Sequence, residues 1–207
     1  MIYLSGSPNN KTPKNIGFMA TPTVGTNLIK KGHKWAVDNG AFTGSFDEKK
    51  YFAFLEKMVE YQGNCLFATC PDILCKPIET MNLYEKYSDR IKQLGYKVAF
   101  VCQDGQENYQ LPDCDAIFIG GSTEWKLSKG ADACIKQAKE LGLWVHIGRV
   151  NTRSRIRHCK LRGVDSVDGT CIAFGFDANM PKIIRWMKER MLFDDLYNHV
   201  SDSDCIG

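Results

Sequence analysis

The sequence lacks the markers of several common protein classes. No apolar run approaches the roughly 18 to 20 residues that a membrane-crossing helix needs. The opening stretch, Met1 to Asn10, has no apolar core of the kind a secretory leader carries. Low-complexity tracts, long charge runs and linker-like segments are also missing. Net charge is only +3, from 27 Lys and Arg against 24 Asp and Glu, too little by itself to mark a polyanion-seeking chain. Nine cysteines form no Cys-x-x-Cys pair. Cys65, Cys70 and Cys75 are evenly spaced, but no nearby histidine completes a zinc-finger pattern. Unpatterned thiols in odd number lead us to expect a reducing compartment and mostly buried cysteines. The expectation is a soluble, intracellular chain of 207 residues, long enough to form one domain (1–207) around a single core.

What the sequence has is alternation. Short β-prone runs end in Gly, Asp, Asn or Pro, and most are followed by helical patterns. Strands are expected at Ile2–Leu4, Ile16–Ala20, Lys34–Val37, Cys65–Ala68, Lys97–Cys102, Ala116–Ile119, Trp144–Ile147 and Asp165–Val167. Helices are expected at Asp47–Tyr61, Glu79–Leu94, Ala131–Leu141, Thr152–Leu161 and Pro181–Arg190. Gly95 and Gly142 stand where a left-handed residue closes a helix, and Pro181 suits the first turn of the last one. Strands alternating with helices predict a parallel sheet wrapped by helices. Eight strands predict a compact (β/α)8 TIM-like barrel, with an open doubly wound sheet as the competing arrangement. At about 26 residues per unit, some units before Asp38 must lack a full helix.

The polar residues gather at strand ends: Asp38-Asn39-Gly40, Thr69-Cys70-Pro71-Asp72, Gln103-Asp104-Gly105, Gly120-Gly121-Ser122, Gly148-Arg149 and Asp168-Gly169-Thr170. In a parallel barrel all these ends open on one face, where the loops build an active site. Asp-Gly and Asn-Gly also make ordinary turns, so any single position has a plainer explanation. Asp38 and Asp168 suit two-carboxylate glycosyl chemistry. An ionised carboxylate can attack an electrophilic sugar carbon, while a second moves protons on the departing and arriving groups. Asp165 competes for the nucleophile role, but alternation along a strand turns it to the other face from Asp168.

A second constellation is basic. Six Lys and Arg lie between Arg149 and Arg162, and Thr152 can cap a helix whose early turns carry Arg153, Arg155 and Arg157. Cations near a helix N-terminus oppose its dipole, so phosphate binding explains them better than local helix stability. The plainer reading is a solvated basic face. Four phosphate contacts would give a log–log salt slope of roughly −3 to −4.

Taken in order, these segments resemble the tRNA-guanine transglycosylase superfamily, most closely its short DpdA-type relatives that place 7-deazaguanine bases in DNA. Trp35-Ala-Val-Asp38-Asn-Gly-Ala-Phe42 is similar to that family's strand ending in Asp-Ser-Gly-Gly-Phe. Phe100-Val-Cys-Gln103-Asp-Gly resembles its Val-Gln-Gly-Gly strand end. Ile119-Gly120-Gly121-Ser-Thr-Glu124 resembles its Gly-Gly-Leu loop and following Glu. Gly163-Val-Asp165-Ser-Val-Asp168 resembles its Gly-x-Asp-x-x-Asp strand, and Ala68-Thr-Cys-Pro-Asp72 is a looser match. The resemblance runs from about Trp35 to Thr170.

It implies a pentosyltransferase of the cytoplasm, or of the host cytoplasm if the source is viral. Asp168 would be the nucleophile and Asp38 the general acid/base. Asp72, Gln103, Gly120, Gly121 and Asn39 would bind the base, and Arg149, Arg153, Arg155 and Arg157 the nucleic acid. Phe42 and Trp125 are candidate stacking platforms, for a target nucleotide that must leave its stack. His146, in an apolar strand, is expected to be a hydrogen-bonded core or pocket residue. The tRNA enzymes carry a Cys-x-Cys-x-x-Cys zinc site after the nucleophile strand, whereas this chain has Cys171, Cys205 and His199 there without that spacing. No metal and no cofactor are therefore expected. DNA is favoured over tRNA as partner, with a free 7-deazaguanine such as preQ0 as incoming base. The alternatives are the same exchange on tRNA, a base hydrolase, or an inactive barrel that binds nucleic acid.

Overall fold

The structure is a computed structural model, described for residues 1–7, 9–41 and 46–190. Phe42, His199 and Cys205 lie outside the described residues. Eight strands, β1 (Ile2–Ser5), β2 (Ile16–Ala20), β3 (Trp35–Val37), β4 (Cys65–Thr69), β5 (Val98–Cys102), β6 (Ala116–Ile119), β7 (Trp144–Ile147) and β8 (Ser166–Gly169), are all parallel. They close in sequence order, with β8 pairing back onto β1. This is a (β/α)8 TIM-like barrel, and all eight expected strands are present to within a residue or two at their ends.

The helices are α1 (Asn27–Lys30), α2 (Glu48–Met58), α3 (Pro77–Gln93), α4 (Thr123–Lys126), α5 (Lys129–Glu140), α6 (Arg153–Leu161) and α7 (Phe176–Lys188). As expected, the units before Asp38 are reduced: α1 is a single turn, and among the described residues no helix joins β1 to β2. The short α4, capped by Ser122, was not anticipated. Gly95 and Gly142 adopt φ of 84° and 71° and close α3 and α5. The expectation for Pro181 needs correction. Helix α7 begins at Phe176, so Pro181 lies in its interior rather than its first turn. Phe176 packs against the core, and that burial starts the helix early, although Pro181 gives Asp177 O no amide donor.

Two apolar layers hold the barrel. Inside it, Leu4, Met19, Ala36, Phe67, Ala99 and Ala116 pack with Phe118 and Trp144. Outside it, Tyr3, Phe18, Trp35, Val37, Phe100, Ile117, Val145 and Val167 meet the helices. Strand residues therefore alternate inward and outward with period two. The same alternation carries the inward face from Ala36 to Asp38, from Phe118 to Gly120 and from Ser166 to Asp168. Polar groups at strand ends are thus aimed into the mouth.

Candidate active site

A pocket of about 540 Å³, part of it open to solvent, sits at the carboxyl ends of the strands. It is lined by Asp38, Asn39, Asp72, Gln103, Lys126 and Asp168, with Phe118, Leu74 and Val101 as its apolar wall and Gly120, Gly148 and Arg149 at its rim. Residues up to 130 positions apart in sequence meet here because every βα junction opens on one face.

Asp168 is held by one oxygen. Its Oδ1 accepts a 2.7 Å hydrogen bond from Arg149 N–H and lies 3.6 Å from His146 Nε2. Among the described residues no donor meets Oδ2. His146 is fully buried between the rings of Phe67 and Phe118, and burial holds its pKa below the ordinary imidazole value. Its Nδ1 lies 2.8 Å from Ser166 Oγ, which already accepts from Trp144 Nε1. The hydroxyl of Ser166 still has its own proton available for Nδ1. The Asp168 carboxylate favours the tautomer with the proton on Nε2, because the other would set a lone pair against it. The expectation for His146 is met. Its bearing on Asp168 escaped the sequence reading, although His146 precedes the pocket residue Gly148 by two positions on the same face.

Asp38 accepts a 2.8 Å bond from Gly40 N–H. Its pKa is pushed up to about 6, chiefly by burial, and further by the charges of Asp168 and Asp72. Asp165, the competing nucleophile, lies at the opposite end of β8. There its carboxylate binds Lys139 at 2.8 Å and Val145 N–H.

Asp72, Asn39 and Gln103 form one network. Asn39 Nδ2 donates to Asp72 Oδ1 at 2.8 Å and to Cys70 O, while Gln103 Nε2 donates to Asp72 Oδ2 at 2.7 Å. Gln103 Oε1 accepts from Cys75 N–H. Burial raises the pKa of Asp72, against the lowering effect of Asn39. Gly120 cannot carry a side chain, because a Cβ there would sit 2.7 Å from Val101 and 2.9 Å from Gln103 Nε2. A Cβ at Gly148 would likewise collide with the Phe118 ring.

Gly121 does not line the pocket, and its carbonyl accepts from Arg149 Nη2 at 2.7 Å. Trp125 is buried and donates to Glu107, which places it in the core and not on a stacking surface. Among the described residues Phe118, partly exposed in the pocket wall, is the aromatic face available there.

The basic run divides. Thr152 caps α6 as expected, accepting from Arg155 N–H. Arg149 reaches the pocket through a left-handed backbone, φ 62°, a strained conformation for a side chain other than glycine or asparagine. Arg155 donates to Arg149 O. Arg153 instead pairs with both oxygens of Glu189. Lys160 donates to Trp186 O and Glu189 O near the end of α7, and Arg162 pairs with Asp132 of α5. Arg157 is half-buried on α6 and does not line the pocket. The basic run is therefore not one surface: Arg153, Lys160 and Arg162 are engaged by groups at the end of α7 and on α5, and serve helix packing. Lys126, which the sequence reading missed, is buried in the pocket wall with Nζ donating to Gly148 O at 3.0 Å.

Among the described residues no group of three or more His, Cys, Asp or Glu is placed to hold a metal ion. No helix there is long and apolar enough to cross a membrane.

No protein-family model matches the chain, and no curated protein matches its sequence. Among solved structures it is similar to BlrP1 of Klebsiella pneumoniae, solved in complex with manganese and cyclic di-GMP. That match has 12% identity and a TM-score of 0.43, over 70% of this chain and 40% of that one. It is similar to the S helix–GGDEF–EAL portion of Vibrio cholerae LapD, at 10% identity and a TM-score of 0.42, over 71% and 39%. It is also similar to tryptophan synthase of M. tuberculosis in its aminoacrylate-bound form, at 12% identity and a TM-score of 0.41, over 94% and 90%. The chain thus spans about two fifths of the first two. The fold assignment rests on the closed strand order itself. What fold and site define together is a class: a parallel eight-stranded barrel with a two-carboxylate pocket at its carboxyl mouth.

Proposed function

We propose that the protein is a base-exchanging transglycosylase that replaces guanine in DNA with a 7-deazaguanine such as preQ0. The observation that carries this reading is the pair Asp38 and Asp168 in one pocket, with Asp38 raised to about 6. A group with that pKa gives and takes protons near neutral pH. A carboxylate anchored through Oδ1 leaves Oδ2 for attack.

In this reading Asp168 Oδ2 attacks C1′ of the target nucleotide. The C1′–N9 bond breaks, its electron pair leaves with guanine, and Asp38 supplies the proton. The incoming base then gives a proton to Asp38 and attacks C1′, which expels the carboxylate of Asp168. Asp72, held by Asn39 and Gln103, keeps further lone pairs for the N–H edge of a guanine-like base, and Gly120 lets that base approach the backbone. Phe118 and Leu74 offer apolar surface to its faces. DNA is preferred to tRNA on the resemblance to the DpdA-type enzymes and the missing zinc-ligand spacing.

The test is incorporation of labelled guanine or preQ0 into DNA and into tRNA, by wild type and by Asp168→Ala. Label in DNA that is lost in the variant is expected. Label in neither polymer rejects transglycosylation, and label in tRNA alone moves the substrate. Guanine released without insertion would make the protein a base hydrolase.

A further inference from the structure

Beside the two-carboxylate pocket lies a second cleft of about 320 Å³, part of it open to solvent, between α4 and the start of α6. It shares Lys126, Gly148 and Arg149 with the first and adds Arg155. Three cations from three separate segments therefore converge where two pockets meet. Each is steered by a main-chain carbonyl: Lys126 by Gly148 O, Arg149 by Gly121 O, and Arg155 by Arg149 O. Among the described residues no carboxylate lies within ion-pair distance of Lys126 or Arg155. Elsewhere on α6 the opposite rule holds, since Arg153 and Arg162 each meet an acid.

Gathering like charges in a half-closed cleft is unfavourable without a counter-charge. The strain shows at Lys126, whose pKa is lowered to about 8, by burial first and then by Arg149 and Arg155 against the opposing effect of Asp168. The left-handed backbone of Arg149 adds a further cost. A bound oxyanion would offset the like-charge repulsion, and barrels of this kind often hold phosphates at their late βα loops.

We propose that Lys126, Arg149 and Arg155 form a phosphate subsite that grips the phosphate adjoining the sugar whose anomeric carbon faces Asp168. The shared wall gives the reason. Lys126, Gly148 and Arg149 line both clefts, so a phosphate joined to a sugar at Asp168 has only that shared wall to cross. This assignment of the phosphate to a nucleotide rests on the proposed function; affinity of the cleft for a phosphate oxyanion does not.

Two measurements separate them. In the first, inorganic phosphate is titrated into wild type, Arg155→Gln, Lys126→Met/Arg155→Gln and Lys136→Met at low salt, with binding followed by calorimetry. Lys136 is exposed on α5, away from the cleft, and controls for loss of charge. At least a tenfold weaker affinity is expected for the double variant, a clear loss for Arg155→Gln, and a change within twofold for Lys136→Met. Arg155→Gln, at a half-exposed position, keeps the test usable if the double variant fails to fold. Wild-type phosphate affinity in folded Arg155→Gln and the double variant would overturn the site, as would an equal loss in Lys136→Met.

In the second, DNA carries one neutral methylphosphonate linkage beside the target guanine. Wild-type incorporation should fall at least tenfold, whereas the already weakened double variant should change less than threefold. Equal falls in both would show that the cleft binds free phosphate and not the polymer, overturning the nucleotide assignment. No incorporation into any polymer would sink the proposed function, leaving the phosphate titration to decide the cleft.

Discussion

The two ends of the barrel use the same residue types to opposite effect. At the amino end Asp165 and Lys139 form a direct 2.8 Å ion pair, and Asp165 also accepts from Val145 N–H. At the carboxyl end Asp168 and Lys126 are each anchored by main-chain groups instead, Asp168 by Arg149 N–H and Lys126 by Gly148 O. Paired charges neutralise one another and serve the fold. Charges tethered through the backbone keep their field for something that arrives. The mouth carries two groups moved well toward neutral pH, Asp38 up to about 6 and Lys126 down to about 8.

The contrast breaks hardest at Asp168. Asp168→Asn should lower incorporation by roughly 10³-fold or more, because the covalent step loses its nucleophile; an effect below tenfold would remove Asp168 from that role.

Asp38→Asn should cost roughly 10² to 10⁴-fold, the range for a general acid/base. It should also abolish the inflection near pH 6 that wild-type rates are expected to show. Stability follows the same group. Its protonated form is favoured in the fold, so that contribution is full below about pH 4 and is lost as pH rises through 6. Asparagine mimics the protonated acid. Denaturant titration of the variant at pH 8 should therefore show a gain on the order of 1 to 2 kcal/mol over wild type, and the gain should vanish by pH 4.

His146→Gln should reduce the rate about five- to tenfold, less than a full hydrogen bond to a charged oxygen is worth, because Nε2 and Oδ1 stand 3.6 Å apart. Burst kinetics should show slower formation of the covalent intermediate with substrate binding little changed. An unchanged rate would mean that Arg149 N–H alone positions the nucleophile.

Asp165→Asn should do least. Removal of a part-exposed pair should cost about 0.5 to 1 kcal/mol in thermal unfolding, with incorporation kept within about threefold. A large activity loss there would undo the distinction between the two ends.

Much of this was legible in the chain. Short apolar runs located every strand, because burial on both faces selects Val, Ile, Phe and Ala over three to five residues. Asp38, Asn39, Asp72, Gln103, Gly120 and Asp168 were all found at strand ends, and the structure brings them into one pocket. Lys126 and Phe118 were not found. Lys126 sits on a one-turn helix too short for any periodic signal, and Phe118 looks like one more core aromatic in an apolar strand. The basic run misled for a related reason. Arg153 and Arg149 are alike in sequence, yet the ion pair of Arg153 is set by Glu189, 36 residues away.

The sequence by itself determined the number and order of the strands, the reduced early units, and the alternation that sets Asp165 and Asp168 on opposite faces. These follow from local chain geometry and the pattern of burial. Only the tertiary structure decided which charges pair and which stay available. That choice depends on distances between segments brought together by barrel closure, and no local pattern encodes them. The single-oxygen anchoring of Asp168, the raised pKa of Asp38 and the meeting of Lys126 with Arg149 and Arg155 all belong to that second kind.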